Sequence, residues 1–397
     1  MAAYKTAREI FRGHTAEAGE AGGRRVRLRP DALALGGEEA LAALEEAGPG
    51  AGGSFDVERV ILFAGECRGR GSARLAPRAR AQAGAFGFRL VHPAAGCALP
   101  VLYERGLAGP GDLVAALGLP GGQTSGNGSL VWAVESASLR GILEGGTFDA
   151  NLPDVHRIEC RGELGPAVGG VDVGLYVASQ FGREGARGAL LEFGGAAVEA
   201  LGVGERDGLA GAAALCGPAA VLCAPGTSAS EAEAYFEYDF TNLKPQYAAS
   251  KGPSAFEVRP LAEASAAFVR RVIIGPAAAA AELRDAARLL AGKHIHSDVQ
   301  LWVSPASRQA HFESLAKSYL MELVDAGATV LPSCTLPWAE ELSSNGAAVA
   351  TTGFCAFEAC LERDVEVYYV SAVSAAAAAL AGELCDPSPL CVNLKSY

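Results

Sequence analysis

Between Arg270 and Leu384, short apolar runs alternate with longer stretches rich in Ala and Leu. Val272, Ile273 and Ile274 make the first run, which stops at Gly275-Pro276 and passes into a predicted helix over Ala277 to Leu290. Val299 to Val303 make the second, closed by Ser304-Pro305 before a helix reaching about Asp325. Ala328 to Leu331 make the third, closed by Pro332-Ser333-Cys334. A Thr351-Thr352-Gly353 loop, a short helix, a strand from Val365 to Val370 and a helix from Ser374 to Leu384 complete the region. Strands alternating with helices predict a parallel sheet. Ligands of such sheets sit where strands end and helices begin, so these turns are the first places to look for a site.

The earlier chain follows the same pattern. Arg24 to Leu35 alternates basic and apolar residues as a strand does, and Gly36-Gly37 opens a short helix over Glu38 to Glu46. Pro49 to Ser54 is a connection, and Val57 to Phe63 is a buried strand ending in Ala64-Gly65-Glu66-Cys67. Leu90 to Gly96 reads as a strand and turn, and Leu113 to Leu117 as a strand running into the Gly-rich loop 118–128. A helix is expected over Ser129 to Leu143. His156 to Cys160, Val171 to Phe181 and Ala186 to Phe193 then build a second unit that ends at the apolar run Ala219 to Ala224. The stretch that follows, with Pro245, Pro253 and Pro260, reads as a linker. The expected division is a first α/β domain over 1–150, a second over 151–230, a linker over 231–265 and a third α/β domain over 266–397.

Composition narrows the function classes. The chain has 397 residues, half of them hydrophobic, enough for a large core in two or three domains. A net charge of -12 argues against nucleic-acid binding, which wants a basic surface. No stretch reaches the roughly 18 uninterrupted apolar residues of a membrane span. The N-terminus MAAYKTAREIFRGH is a charged amphipathic helix without a cleavable apolar core. The expected compartment is therefore the cytoplasm, with the ten cysteines reduced; no two of them are spaced C-x-x-C.

Several groups are candidates for chemistry. Glu66 is the ionisable group at the end of the Val57 to Phe63 strand. Arg68, Arg70 and Arg74 open an acid-free segment, Arg68 to Leu102, that holds six arginines. Guanidinium forks recognise carboxylates and phosphates, so these three are expected to form an anion-binding wall. In the Gly-rich loop, Gln123, Thr124 and Ser125 can hydrogen-bond a ligand, although the loop lacks the Gly-Lys-Ser/Thr ending of a phosphate loop. His294 and His296 would share one face of a strand, but two histidines without a third ligand make no metal site, and none is expected. Cys334, at a strand-to-helix turn where amide dipoles lower a thiol's pKa, is a candidate nucleophile with His92 or His311 as base; an inert buried thiol is the alternative.

The order and wording of several segments resemble the large subunit of 3-isopropylmalate dehydratase, in the aconitase superfamily. They include KTAREIFRGH near the start, ERGLAGPGDLV at 104–114, GGTFDANLPDVHRIECRGEL at 145–164, SPASRQ at 304–309, DAGATVLPSC at 325–334, VATTGF at 349–354 and VYYVSAVSAAAAALAGEL at 367–384. The resemblance implies three α/β/α domains with mainly parallel sheets around a central cleft, and it adds Ser307 and Arg308 to the candidate ligand contacts. It also implies a [4Fe-4S] cluster on three cysteines, and here the chain departs from the pattern. The first ligand turn reads Gly275-Pro276-Ala277-Ala278, and Pro337 stands three positions after Cys334. No cluster and no other cofactor is therefore expected. Family positions carrying Asp-His and Asp-Ser-His-Thr are occupied by the segments around Glu66 and Gln123. In the last loop Thr351 and Thr352 keep their hydroxyls, while the family's carboxylate-clamping arginine is replaced near Phe354. The function implied is a repurposed, cluster-free lyase or isomerase acting on a small, anionic biosynthetic intermediate. The alternative is an inactive binding or assembly subunit. In either case a separate small subunit carrying a swivelling domain is the expected partner, because the chain reaches Tyr397 without a fourth domain.

Overall fold

The computed structural model describes residues 3–18, 24–51, 53–64, 71–92, 95–119, 124–228, 231–250, 255–264, 267–335, 348–354, 357 and 366–391. Three larger sheets, each mainly parallel, organise these residues. The first has the order Arg89–Val91, Val60–Phe63, Ala32–Leu35, Leu113–Leu117, Leu130–Ala133, all parallel. Its central strands are short apolar runs buried at every position, as a parallel sheet between helical layers requires. A small antiparallel sheet of Thr15–Ala18, Arg25–Leu28 and Phe148–Asn151 flanks it.

The second sheet runs Ala234–Asp239, Asp154–Arg161, Ala189–Gly194, Ala220–Cys223, Thr124–Ser125. Strand periodicity sends its side chains two ways. Leu190, Ala220 and Leu222 join the core of the first unit, whereas Leu191, Phe193, Val221 and Cys223 share a core with Ile273, Val349 and Tyr369 of the third. The second unit therefore sits between the other two and holds both.

The third sheet runs Phe256–Pro260, Gln246–Ser250, Val367–Val370, Ala348–Thr351, Val269–Ala278, Gln300–Pro305, Thr329–Val330. Its parallel centre matches the predicted alternation. The edge does not, because Gln246–Ser250 and Phe256–Pro260 form an antiparallel hairpin on Val367–Val370. The segment 231–265 is thus not a plain linker: it supplies an edge strand to the second sheet and this hairpin to the third. Pro260 sits at the end of its strand on the sheet's edge, where its missing N–H costs no central bond.

Two predicted helices also divide differently. Leu130–Ala133 joins the first sheet and the helix begins only at Ser136, because Val131 and Trp132 pack better on a pleated surface than on a helix. The predicted helix to Asp325 is two, Arg308–Ala316 and Tyr319–Asp325, broken at Ser318 with a φ of 64°. His294 and His296 lie in the irregular segment between helix Ala280–Leu290 and strand Gln300–Pro305, not on a strand.

Candidate functional site

A cavity of about 340 Å³ opens between the three units, within the size range of small-ligand sites. Strand ends and helix starts supply its wall: Phe63 and Leu119 from the first sheet, Pro276 and Ala277 from the third, and Thr352 and Phe354 from the last loop. This is the placement that parallel sheets favour.

Helices Val203–Ala213 and Ala280–Leu290 bring the chemistry. They approach closely because position 204 is glycine; a Cβ there would lie 2.3 Å from the Cβ of Ala279. Asp207 and Glu282 consequently face the same cavity. Both are half-buried, and what exposure they keep is to the cavity they line. Burial raises the Asp207 carboxyl to about 7, against the Gly126 N–H, which donates to its Oδ1 at 2.8 Å. Burial raises Glu282 further, to about 8. The Ala279 N–H, 2.8 Å from Glu282 Oε2, opposes that rise, while the charges of Glu205, Asp207 and Asp285 add to it. Loss of hydration is the common cause, since a carboxylate away from bulk water is disfavoured.

The remaining polar wall is acidic or thiol-bearing. Glu104, raised by burial, accepts a hydrogen bond from the Ser307 hydroxyl. Glu313 completes a set of four carboxyl groups, and among the described lining residues there is no Lys, Arg or His. Burial, reinforced by Asp207, holds the Tyr103 phenol well above its ordinary value; its hydroxyl donates to Ser125 Oγ at 3.2 Å. Cys97 and Cys334 share the wall with their Sγ atoms 2.6 Å apart.

The structure brings only part of the sequence-derived set to this place. Cys334 and Thr352 line the cavity, and the Thr352 hydroxyl accepts from Gly275 N at 2.9 Å. Thr351 turns inward, fully buried, and accepts from Gly353 N at 3.2 Å. Ser307 is buried as the cap of helix Arg308–Ala316 and accepts from Ala310 N at 3.0 Å, so it joins the first unit to the third and does not face a ligand. Arg308 is exposed beside it and is not in the wall. Ser125 is also fully buried and off the wall, tied to Asn127 and Ser129. Arg74 is exposed on helix Gly71–Phe86 and does not reach the cavity. Glu66, Arg68, Arg70, Gln123 and the Thr124 side chain lie outside the described residues. His92 is exposed, His311 sits edge-on to Phe312, and neither lines the cavity beside Cys334. The helix expected after Cys334 would begin beyond Thr335, outside the described residues.

Among the described residues, the donor set does not fit the family's cluster. Ala277 lines the cavity at the first ligand turn. Cluster sulfurs must also spread apart, because each binds a different iron, and two held 2.6 Å apart cannot do so. Among the described residues, no group of three His, Cys, Asp or Glu side chains is placed to hold a metal; Cys67, Cys355 and Cys360 fall outside them.

Comparison with known proteins places these features in context. A sequence profile of the aconitase family (aconitate hydratase) matches residues 78–239. The 3-isopropylmalate dehydratase large subunit of Oleidesulfovibrio alaskensis is 30% identical over 422 residues, covering 98% of this chain and 100% of that protein. The protein of the same description from Desulfatibacillum aliphaticivorans is 28% identical over 316 residues, covering 73% of this chain and 75% of the relative. Among solved structures, the holo form of Thermococcus kodakaraensis aconitase X superposes with a TM-score of 0.52 at 13% identity, over 85% of this chain and 90% of that one.

Proposed function

Because the chain belongs to the aconitase family, we propose that it is a cluster-independent lyase or isomerase, in which Asp207 and Glu282 move protons on a small biosynthetic intermediate held in the cleft. The observation that carries this is the pair of carboxyl groups, near 7 and near 8, in the wall of one cavity. General acids and bases work best when their pKa lies near the working pH. Asp207, the first to ionise, takes the proton from a ligand C–H. Glu282, still protonated, gives its proton to a departing hydroxyl in a lyase, or to the far carbon of the allylic anion in an isomerase that shifts a double bond. The two titrate as a coupled pair.

The ligand class follows from the same wall. Four carboxyl groups and Phe354 oppose a di- or tricarboxylate, since a buried anion needs cationic partners. The sequence-based expectation of an anionic ligand rested on three arginines, of which Arg74 stands away from the cavity. A neutral or cationic small molecule suits the site better. Phe354 lines the cavity without filling it, which favours an enzyme over an inert shell.

A small companion chain belongs to the proposal, because the relatives compared above are named large subunits. An apolar face supports it. Phe312, Leu315, Met321 and Val324 are exposed on helices Arg308–Ala316 and Tyr319–Asp325, next to the cavity-lining Gln309, Ala310 and Glu313. Work on a metabolic intermediate accords with a cytoplasmic location, and no helix among the described residues is long and apolar enough to cross a membrane.

The test begins with mass spectrometry of small molecules carried by the natively purified protein, followed by turnover of the compound found. Asp207→Asn and Glu282→Gln should each lower turnover by about 10²- to 10⁴-fold, the usual worth of a positioned acid or base, while circular dichroism stays unchanged. Undiminished turnover in the double variant would remove both residues from the mechanism. A chain that captures a companion protein but converts no compound would instead be the binding or assembly subunit.

A further inference from the structure

We infer that Cys97 and Cys334 form a redox modification site, a dithiol in the cleft wall that a low-molecular-weight disulfide converts into an intrachain bond stapling the first unit to the third. The two cysteines are 237 positions apart, yet their sulfurs lie at 2.6 Å, well inside the contact distance of two sulfur atoms. One strand end holds both backbones. The Cys97 N–H donates to Ala306 O at 2.8 Å, and the Cys334 N–H to Pro305 O at 3.0 Å. Thr335 N donates to Ser304 Oγ at 2.9 Å, and that hydroxyl donates to Pro332 O at 3.0 Å, fixing the turn that carries Cys334. On the other side Gly96 forms an antiparallel bridge with Ser307. Its φ of +138° and the 2.7 Å that would separate a Cβ from Ala306 O exclude any other residue. Both thiols are thus pinned to the strand end at 304–307, and pairing them requires no rearrangement of the units.

The chemistry balances by thiol–disulfide exchange. Cys334 is the more exposed of the two, while Cys97 is buried and donates to Pro276 O at 3.3 Å. The Cys334 thiolate attacks one sulfur of the small disulfide, forming a mixed disulfide and releasing one small thiolate. Cys97, giving up its proton, then attacks Cys334 Sγ and releases the second. The protein loses two hydrogens and two electrons, which the small disulfide accepts in becoming two thiols. Both sulfurs line the cavity, so the oxidised form presents a wall without two S–H groups and with its first and third sides joined. The inference stands on the thiol geometry and is independent of the proton-transfer proposal.

The full chain, reduced and then treated with oxidised glutathione, is alkylated with iodoacetamide and digested without reduction. The expected product is one cross-linked peptide pair containing Cys97 and Cys334, lighter by two hydrogens than its separate parts. Cys97→Ser should leave Cys334 carrying a stable glutathione adduct and no cross-link. As a check that needs no variant, one equivalent of phenylarsine oxide, which bridges paired thiols, should protect both residues of the reduced wild type from alkylation. Separate alkylation of Cys97 and Cys334 after oxidation, or a cross-link from either to a different cysteine, would overturn the inference.

Discussion

Asp207 and Glu282 carry the proposed proton transfers in the cleft, and neither stands out in the sequence. Asp207 lies in GERDGLAG and Glu282 in AAAELRDAA, where an acid reads as the solvated face of a helix. What changes its meaning is desolvation by elements far away in sequence. Their raised values make a prediction about stability. A carboxyl that holds its proton more tightly when folded makes the native state bind more protons than the unfolded chain, so stability falls as pH rises. The window opens at the ordinary values of 3.8 and 4.5 and closes near 7 and 8. Urea denaturation at intervals from about pH 4 to pH 8 should show a decline that the Asp207→Asn, Glu282→Gln double variant flattens; an unchanged slope would contradict the assigned values. Ser307 gives a second prediction. Its hydroxyl caps helix Arg308–Ala316 and donates to Glu104, so Ser307→Ala should cost about 0.5 to 2 kcal/mol in the same experiment.

The elements themselves were legible wherever an apolar run of strand length met a Gly, Pro or Ser turn. Val272 to Ile274, Leu113 to Leu117 and, from Gln300 on, the run Val299 to Val303 lie within parallel strands. Legibility failed where a partner decides the outcome. Val131 and Trp132 become a strand because Leu113–Leu117 offers a free edge beside them. The arginine-rich segment is also compensated, in part, from outside itself. It has no acid of its own, but Arg78 pairs with Glu38 and Glu45, and Arg89 with Glu58. Local charge counting cannot see partners on another helix or strand. The contact between helices Val203–Ala213 and Ala280–Leu290 is equally non-local, and it makes a prediction at this scale. Gly204→Ala should destabilise by about 1 to 3 kcal/mol, because the new methyl meets Ala279 in a packed contact. Gly211→Ala, on the same helix, would place its Cβ no nearer than 3.5 Å to Phe354 Cβ and Tyr369 Oη. It should be neutral or stabilising, since glycine costs a helix about 0.5 to 1 kcal/mol relative to alanine. Equal losses in the two variants, measured by denaturant midpoint, would mean that the helices do not meet at Gly204.

At the scale of the whole molecule, the three units enclose a cavity on their inner sides and leave an apolar face beside it. Phe312 is 59% exposed and Met321 57%, and Leu315 and Val324 continue the face across two neighbouring helices. Single exposed apolar residues are ordinary on a protein surface, whereas several on adjoining helices mark an interaction site. The occupant proposed is the small companion chain, since the full-length relative is named a large subunit and the face adjoins the cavity that such a chain would cover. Phe312→Asp with Met321→Asp places two charges in the face and touches neither Asp207 nor Glu282. Surface substitutions usually change stability by no more than about 0.5 kcal/mol, so the variant should melt like the wild type. A tagged wild-type chain drawn from its native host should retain a small protein in stoichiometric amount, and the double variant should lose it. If the variant recovers the same companion at the same yield, the partner docks elsewhere. If the wild type recovers none and is fully active alone, the cleft needs no second chain.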